Sequence, residues 1–153
     1  MAIKSQIGIR ALIISENCLI VVEHEKDKKR FMVFPGGGLE EGETIFEGAI
    51  REVKEETNLE VVPGRIVYTR EIITGKNHGI EFYVLCRLSG GVLSLGIDPE
   101  HEDGNIILKD VHRISMNDFC SMTNWYPTEL HSLIADDFKN KFSEYRFLGT
   151  VKF

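Results

Sequence analysis

The stretch from Phe31 to Leu59 reads FMVFPGGGLEEGETIFEGAIREVKEETNL. It passes from a short β-rich run, Phe31 to Phe34, through Pro35 and three glycines into a segment with helical periodicity. Proline followed by consecutive glycines suits neither helix nor strand, so a loop is expected at Pro35 to Gly38. Thr44 and Glu47 have the S/T-x-x-E spacing of a capping box, in which each side chain satisfies a backbone N–H of the other. This spacing predicts a helix over Thr44 to Thr57. Asn58 then marks the exit, because asparagine tolerates the left-handed conformation used just past a helix end.

On a wheel of about 100° per residue, Ile45, Phe46, Ala49, Ile50 and Val53 fall on one side, which is expected to pack on a sheet. Glu52, Glu55 and Glu56 occupy the adjacent arc, with Gly48 one turn earlier. Glycine costs about 1 kcal/mol in a helix interior, so room is needed at that position. Glu52, Glu56 and Glu60 repeat at i,i+4, and like charges so spaced cost roughly 0.2–0.5 kcal/mol per pair. Arg51 is the nearest compensating charge. A divalent cation would relieve the repulsion, and carboxylates beside a glycine loop suit Mg²⁺, an ion of oxygen ligands. The helical pattern taken alone also fits a solvated acidic face.

Strand patterns flank this stretch. Ile7 to Ile14 and Cys18 to Glu25 suggest a hairpin across Ser15, Glu16 and Asn17, followed by a charged loop from Glu25 to Arg30. Further strands are expected over Arg65 to Ile73, Ile80 to Leu88 and Ile106 to Val111. Helices are expected over Ser115 to Met122 and Thr128 to Phe138, and an edge strand over Arg146 to Phe153. Strands with a few helices packed on them form an α/β arrangement, read as a single domain over residues 1–153.

The 153 residues are 42% hydrophobic, with nine phenylalanines, enough for one buried core and against disorder. The net charge of −6 opposes binding to nucleic acid phosphates or anionic lipid. Runs such as Ala11 to Ile14 fall short of the ~20 apolar residues that span a bilayer, so no membrane partner is expected. Gln6, Gly8 and Arg10 interrupt any secretory h-region, and the chain is read as starting at Met1. Cys18, Cys86 and Cys120 are odd in number and show no CxxC pairing. They are read as reduced, mostly buried thiols of a cytoplasmic protein.

From Gly37 onward the chain reads G-x5-E-x7-R-E-V-x-E-E-x-N-L, through Glu43, Arg51, Glu52, Val53, Glu55, Glu56, Asn58 and Leu59. This resembles the Nudix box, departing from it only where Asn58 stands for glycine. The resemblance implies an α/β/α sandwich with a mixed β-sheet, and hydrolysis of a nucleoside diphosphate linked to another moiety with Mg²⁺ or Mn²⁺. It implies Glu52, Glu55 and Glu56 as metal ligands, the Gly36 carbonyl as a further one, and Arg51 and Glu43 as orienting residues. Gly36, Gly37 and Gly38 would let the backbone approach a phosphate closely.

A general base is expected from Glu100, Glu102 or Asp103 in the loop Asp98 to Asn105, with Glu55 or Glu56 as alternatives. Trp125 and Tyr126 could stack on a base, although packing is the simpler reading. Arg10, Arg70 and Arg87 could reach phosphates or merely sit on strands, and His78 reads as a turn residue. Ile72 to Lys76 lacks the proline that ADP-ribose hydrolysing members usually carry, which speaks against that substrate. The partner implied is a small-molecule nucleotide; a homodimer is compatible with the pattern. A non-catalytic nucleotide sensor on the same fold is the alternative function.

Overall fold

The computed structural model describes residues 5–97 and 106–153. β1 (Ser5–Ser15) and β2 (Cys18–Lys26) are joined by Glu16 and Asn17, both at positive φ (49° and 64°). Such a two-residue turn matches the twist of the strands it joins. The expected charged loop from Glu25 to Arg30 is instead a second tight hairpin, turning on Asp27 and Lys28 (φ 51° and 63°) into β3 (Lys29–Val33). Arg30 reaches back to Glu23 and Glu25 across the strands, so the charges stabilise the pairing rather than marking a loop.

β1 pairs with β2 only at Ile14↔Leu19 and Ser15↔Cys18. The two strands then part. β1 takes β6 (Asn77–Gly91) in parallel, from Ser5↔His78 to Ile14↔Arg87. β2 takes β3 at Val22 to Lys26 and β7 (Ile107–Ser115) along the whole of Cys18 to Glu25. The chain crosses the gap through Phe34 and Pro35, whose carbonyl accepts from the Ala11 amide at 2.8 Å. It then forms β4 (Gly36–Gly38), antiparallel to β1 at Gly8 to Arg10. The expectation of a loop at these glycines is therefore corrected. A Cβ on Gly36 would sit 1.9 Å from the Ile9 carbonyl oxygen, so glycine is what lets the two backbones pair so closely.

β5 (Leu59–Thr74) begins directly at the exit of helix α1 (Ile45–Thr57) and lies antiparallel to β6, and β8 (Arg146–Lys152) adds a parallel edge strand to β5. Bulges near Glu60, Pro63 and Ile66 let β5 carry Pro63 and Gly64, which hid its first half from a pattern reading. α2 (Met116–Ser121), capped by Ser115, and α3 (Thr128–Lys139) pack on the face opposite α1. Ile9, Ala11, Ile13, Val84, Ala49 and Val53 fill the layer beneath α1. Leu12, Phe34, Tyr68, Tyr83, Phe119 and Trp125 fill the other layer. The result is an α/β/α sandwich around a mixed sheet.

Two expectations for α1 are met and two are not. The capping box is formed, with Glu47 N–H donating to Thr44 and Thr44 N–H to Glu47, and Asn58 stands at φ 61°. The buried face, however, is Gly48, Ala49, Glu52, Val53, Glu56 and Thr57, while Phe46 and Ile50 stand exposed. Gly48 permits this rotation: a Cβ there would meet Ile9 Cδ1 at 2.2 Å and Leu39 Cδ1 at 2.8 Å. Glu60, for its part, lies on β5 beside Lys54 (3.7 Å) and so does not extend the glutamate series along the helix.

Of the cysteines, all unpaired, only Cys86 is buried, which pushes its thiol up to about 12; Cys120 is exposed, against expectation. Asp137 anchors α3 to the sheet. It accepts from Tyr68 Oη (2.6 Å), Arg146 Nε (2.9 Å) and Arg146 Nη2 (2.8 Å). The bonds from Arg146 hold its carboxyl below the ordinary range. A depressed carboxyl contributes stability that is present above its unfolded pKa and is lost as pH falls through the lower folded value. Asp137→Ala should therefore cost about 2 kcal/mol near neutrality. The gap from wild type should close as the solution is acidified below about pH 4, read by urea denaturation. A gap constant with pH would count against this role.

Candidate active site

The burial of two glutamates on α1 requires compensation, because an isolated carboxylate in the interior is costly. Arg51 supplies it. Its Nε donates to Glu43 Oε1 at 2.7 Å and its Nη2 to Glu43 Oε2 at 3.0 Å, a bidentate fork. Nη1 donates to Glu52 Oε1 (2.9 Å) and Glu55 Oε2 (3.1 Å), and Nη2 also reaches the Gly38 carbonyl (2.9 Å). One guanidinium thus ties three carboxylates to the glycine strand. The bonds to Glu43 are the largest influence, raising the arginine's pKa and, from the other side, lowering that of Glu43.

Glu56, with a fully buried side chain, takes the other side of the patch. Its Oε1 accepts from the Gly36 amide at 2.6 Å, and its Oε2 lies 3.5 Å from His24 Nε2 on β2. The Glu52 side chain is 1% exposed and that of Glu55 29% exposed. Glu52 and Glu56 are thus interior and Glu55 alone of the three reaches the surface, beside a backbone stripped of side chains. Glu52, Glu55, Arg51, Glu43 and Gly38 are brought together by the Arg51 guanidinium and Glu56 meets Gly36, with Gly37 between the two contacted glycines. Glu100, Glu102 and Asp103 lie outside the described residues.

The donor set is all oxygen and anionic, which fits a hard divalent cation. Among the described residues, no group of three or more His, Cys, Asp or Glu side chains is already set to hold a metal ion. Arg51 holds one oxygen each of Glu52 and Glu55.

Four further residues adjoin the patch. Arg10 on β1 donates from Nη1 to the carbonyls of Phe34 (3.1 Å) and Gly36 (3.3 Å) and faces Glu81 Oε2 from Nε at 3.4 Å. Arg70 and Tyr83 meet the other oxygen of Glu81. Glu81, Tyr83 and His24 escaped the sequence reading. The available signal was a carboxylate at an inward-facing strand position two residues before a buried tyrosine. A cleft of about 500 Å³, lined among others by Arg10, His24, Phe31, Trp125 and Tyr126, opens beside Glu56's partner His24. Another of about 680 Å³ runs past Gly8, Gly38 and Glu81. Trp125 is core, wedged against Phe34 and Phe119 at ring distances of 4.6 and 4.9 Å. Tyr126 is exposed at the cleft, and Arg87 lies at a separate apolar groove. His78 is an exposed residue at the β5–β6 turn, paired with Glu71.

A sandwich of this topology with an arginine-tied glutamate cluster on its first helix defines a class of protein. The NUDIX domain family matches residues 4–144, and the chain belongs to that family. It is 31% identical over 105 residues to Nudix hydrolase 2 of Arabidopsis thaliana, covering 64% of this chain and 36% of that protein. It is 28% identical over 100 residues to an ADP-ribose pyrophosphatase of Methanocaldococcus jannaschii, covering 63% and 59%. With the 8-oxo-dGDP phosphatase NUDT18 of Mus musculus the identity is 34% over 87 residues, covering 57% and 26%. The chain thus spans between about a quarter and three-fifths of the length of these relatives. Among solved structures, a Nudix hydrolase from Nitrosomonas europaea superposes with a TM-score of 0.70 at 14% identity, covering 97% of this chain and 79% of that one. No helix among the described residues is long and apolar enough to cross a membrane.

Proposed function

We propose that this chain hydrolyses a phosphoanhydride bond in a nucleoside diphosphate linked to another moiety, with Mg²⁺ or Mn²⁺. The observation that carries the reading is the buried glutamate cluster, tied by Arg51 to Glu43 and Gly38 and by Glu56 to the Gly36 amide. Two relatives, an ADP-ribose pyrophosphatase and an 8-oxo-dGDP phosphatase, act on substrates that carry a phosphoanhydride bond.

Glu52, Glu55, Glu56 and the Gly36 carbonyl would hold the metal. When bound, the metal neutralises phosphate charge and lowers the pKa of a coordinated water. The chain's own residues supply the rest. Arg51 keeps the carboxylates from repelling one another and, through Gly38, fixes the glycine strand at one distance from the helix. Gly36 to Gly38 give the diphosphate an approach without side chains, so the attacked phosphorus and its leaving oxygen can line up with a water. Glu55, the most exposed of the three, is reachable by solvent and can accept the water's proton; Glu100, Glu102 and Asp103 are the alternative bases. The small-molecule partner fits the cleft beside His24, with Phe31 and Tyr126 as stacking walls.

Incubation with Mg²⁺ and a panel of nucleotide sugars, dinucleotides and nucleoside triphosphates, read by mass spectrometry in ¹⁸O water, tests this. Cleavage abolished by chelation and label on one phosphate product are expected. Heat protection by a nucleotide with no turnover across the panel would overturn the hydrolase reading in favour of a sensor. Glu100→Gln and Glu102→Gln locate the base: a steep fall in kcat with metal affinity kept assigns it to the loop, and unchanged turnover in both assigns it to α1.

A further inference from the structure

Two arginines close on one carboxylate next to the glutamate patch. Glu81 Oε2 faces Arg10 Nε at 3.4 Å, and Oε1 accepts from Arg70 Nη2 at 3.0 Å and from Tyr83 Oη at 2.5 Å. Arg70 is buried, with Nη1 also 3.3 Å from the exposed Glu129 and its guanidinium carbon 5.8 Å from the Tyr126 ring centroid. Burial would push Glu81's carboxyl up, but the charges of Arg10 and Arg70 overcome this and hold it ionised. A buried ion cluster of this kind adds little stability over well-packed apolar residues of the same volume. Its place against a cleft therefore asks for a role in recognition.

The arginines outnumber the carboxylate they share, and Glu129 offsets only Arg70. Glu56 as well as Glu81 acts on the charge of Arg10, whose side chain keeps 22% exposure and lines the cleft of about 500 Å³. Its Nε is turned to Glu81, and its Nη1 rests on the carbonyls of Phe34 and Gly36. Its Nη2 makes no hydrogen bond among the described residues. Gly36 is the hinge of the arrangement: its N–H donates to Glu56 at 2.6 Å, while its carbonyl accepts from Arg10 at 3.3 Å. A single residue thus separates the anionic patch from this cation. That spacing suits a ligand whose two linked phosphates lie one on each side.

We infer that Arg10 is a substrate-binding residue, its Nη2 taking a phosphate oxygen of the diphosphate on the cleft side of Gly36. Glu81 is its positioning residue, fixing the guanidinium so that the remaining donors point away from the sheet. The net charge of −6 makes such a cation useful, since the carboxylate patch alone repels a polyanion. The inference uses the hydrolase reading for the identity of the anion; the geometry of the site does not depend on it.

The test is calorimetric binding of ADP and of adenosine in EDTA, where no turnover interferes, to wild type, Arg10→Gln and Arg10→Lys. A charge-assisted bond lost from the diphosphate alone should weaken ADP by about 10- to 100-fold in Arg10→Gln and leave adenosine within about two-fold. Arg10→Lys, which keeps the charge and loses the fork, should fall between and serves if the glutamine variant does not fold. Equal weakening of both ligands would mean a purely structural Arg10 and would overturn the inference, as would unchanged ADP affinity or no ADP binding by wild type. Wild type that binds ADP in this Arg10-dependent way yet cleaves nothing in the panel would sink the hydrolase reading alone.

Discussion

Glu56→Gln should lower the rate of metal-dependent hydrolysis by roughly 10³-fold while the protein stays folded. Glutamine keeps a carbonyl oxygen for the Gly36 amide, so the 2.6 Å contact that joins helix to strand survives in neutral form. What disappears is the negative charge at the innermost position of the patch. Glu55→Gln should lower the rate comparably, although its side chain is 29% exposed and contributes little to packing. The measurement is steady-state hydrolysis at saturating Mg²⁺, with Mg²⁺ affinity followed separately by calorimetry. Wild-type turnover in both variants would remove these carboxylates from the reaction.

The second large effect is on stability. Arg51→Ala strips the guanidinium shared by Glu43, Glu52 and Glu55 and leaves Glu52, almost wholly buried, beside two further carboxylates. Breaking a buried pair in this manner costs about 3–5 kcal/mol, which for a chain of this size lowers Tm by about 10 °C or more. Added Mg²⁺ should return part of that loss, so the metal-induced rise in Tm should be larger in Arg51→Ala than in wild type. Thermal melts with and without Mg²⁺ check both statements. Equal melting temperatures for variant and wild type in EDTA would show that the cluster does not depend on this arginine.

Much of the site could be read before any coordinates because its parts are close in sequence. A capping box, a glycine in a helix interior and glutamates at fixed offsets are local facts. The helix boundaries and the αL asparagine follow from them, whereas the pairing of Arg51 with Glu43 is implied only by the family resemblance. Burial is not local. The wheel gave the sheet-facing side to Phe46 and Ile50 because both are apolar. The tertiary structure instead gives it to Glu52 and Glu56, whose carboxylates find Arg51 and the Gly36 amide and so can leave water. Likewise, three glycines after a proline look like a loop until β1 is available to pair with them. His24, Glu81 and Arg10 join the site from three strands, and nothing in their immediate neighbours marks their convergence. Pro63 and Gly64 concealed the first half of β5, since a bulge that accommodates them is a property of the pairing with β6.

The parallel pairing of β1 with β6 bears on how the molecule comes to be. Ser5 through Ile14 find their partners at His78 through Arg87, so the central ribbon cannot close until more than half the chain has left the ribosome. Loop closure over that span must be met before its contacts return anything, which slows acquisition of the native state and leaves an apolar first strand searching for a neighbour. Nascent chains ending short of residue 91 should accordingly remain protease-sensitive and prone to aggregate, and resistance should appear only once the sixth strand has emerged.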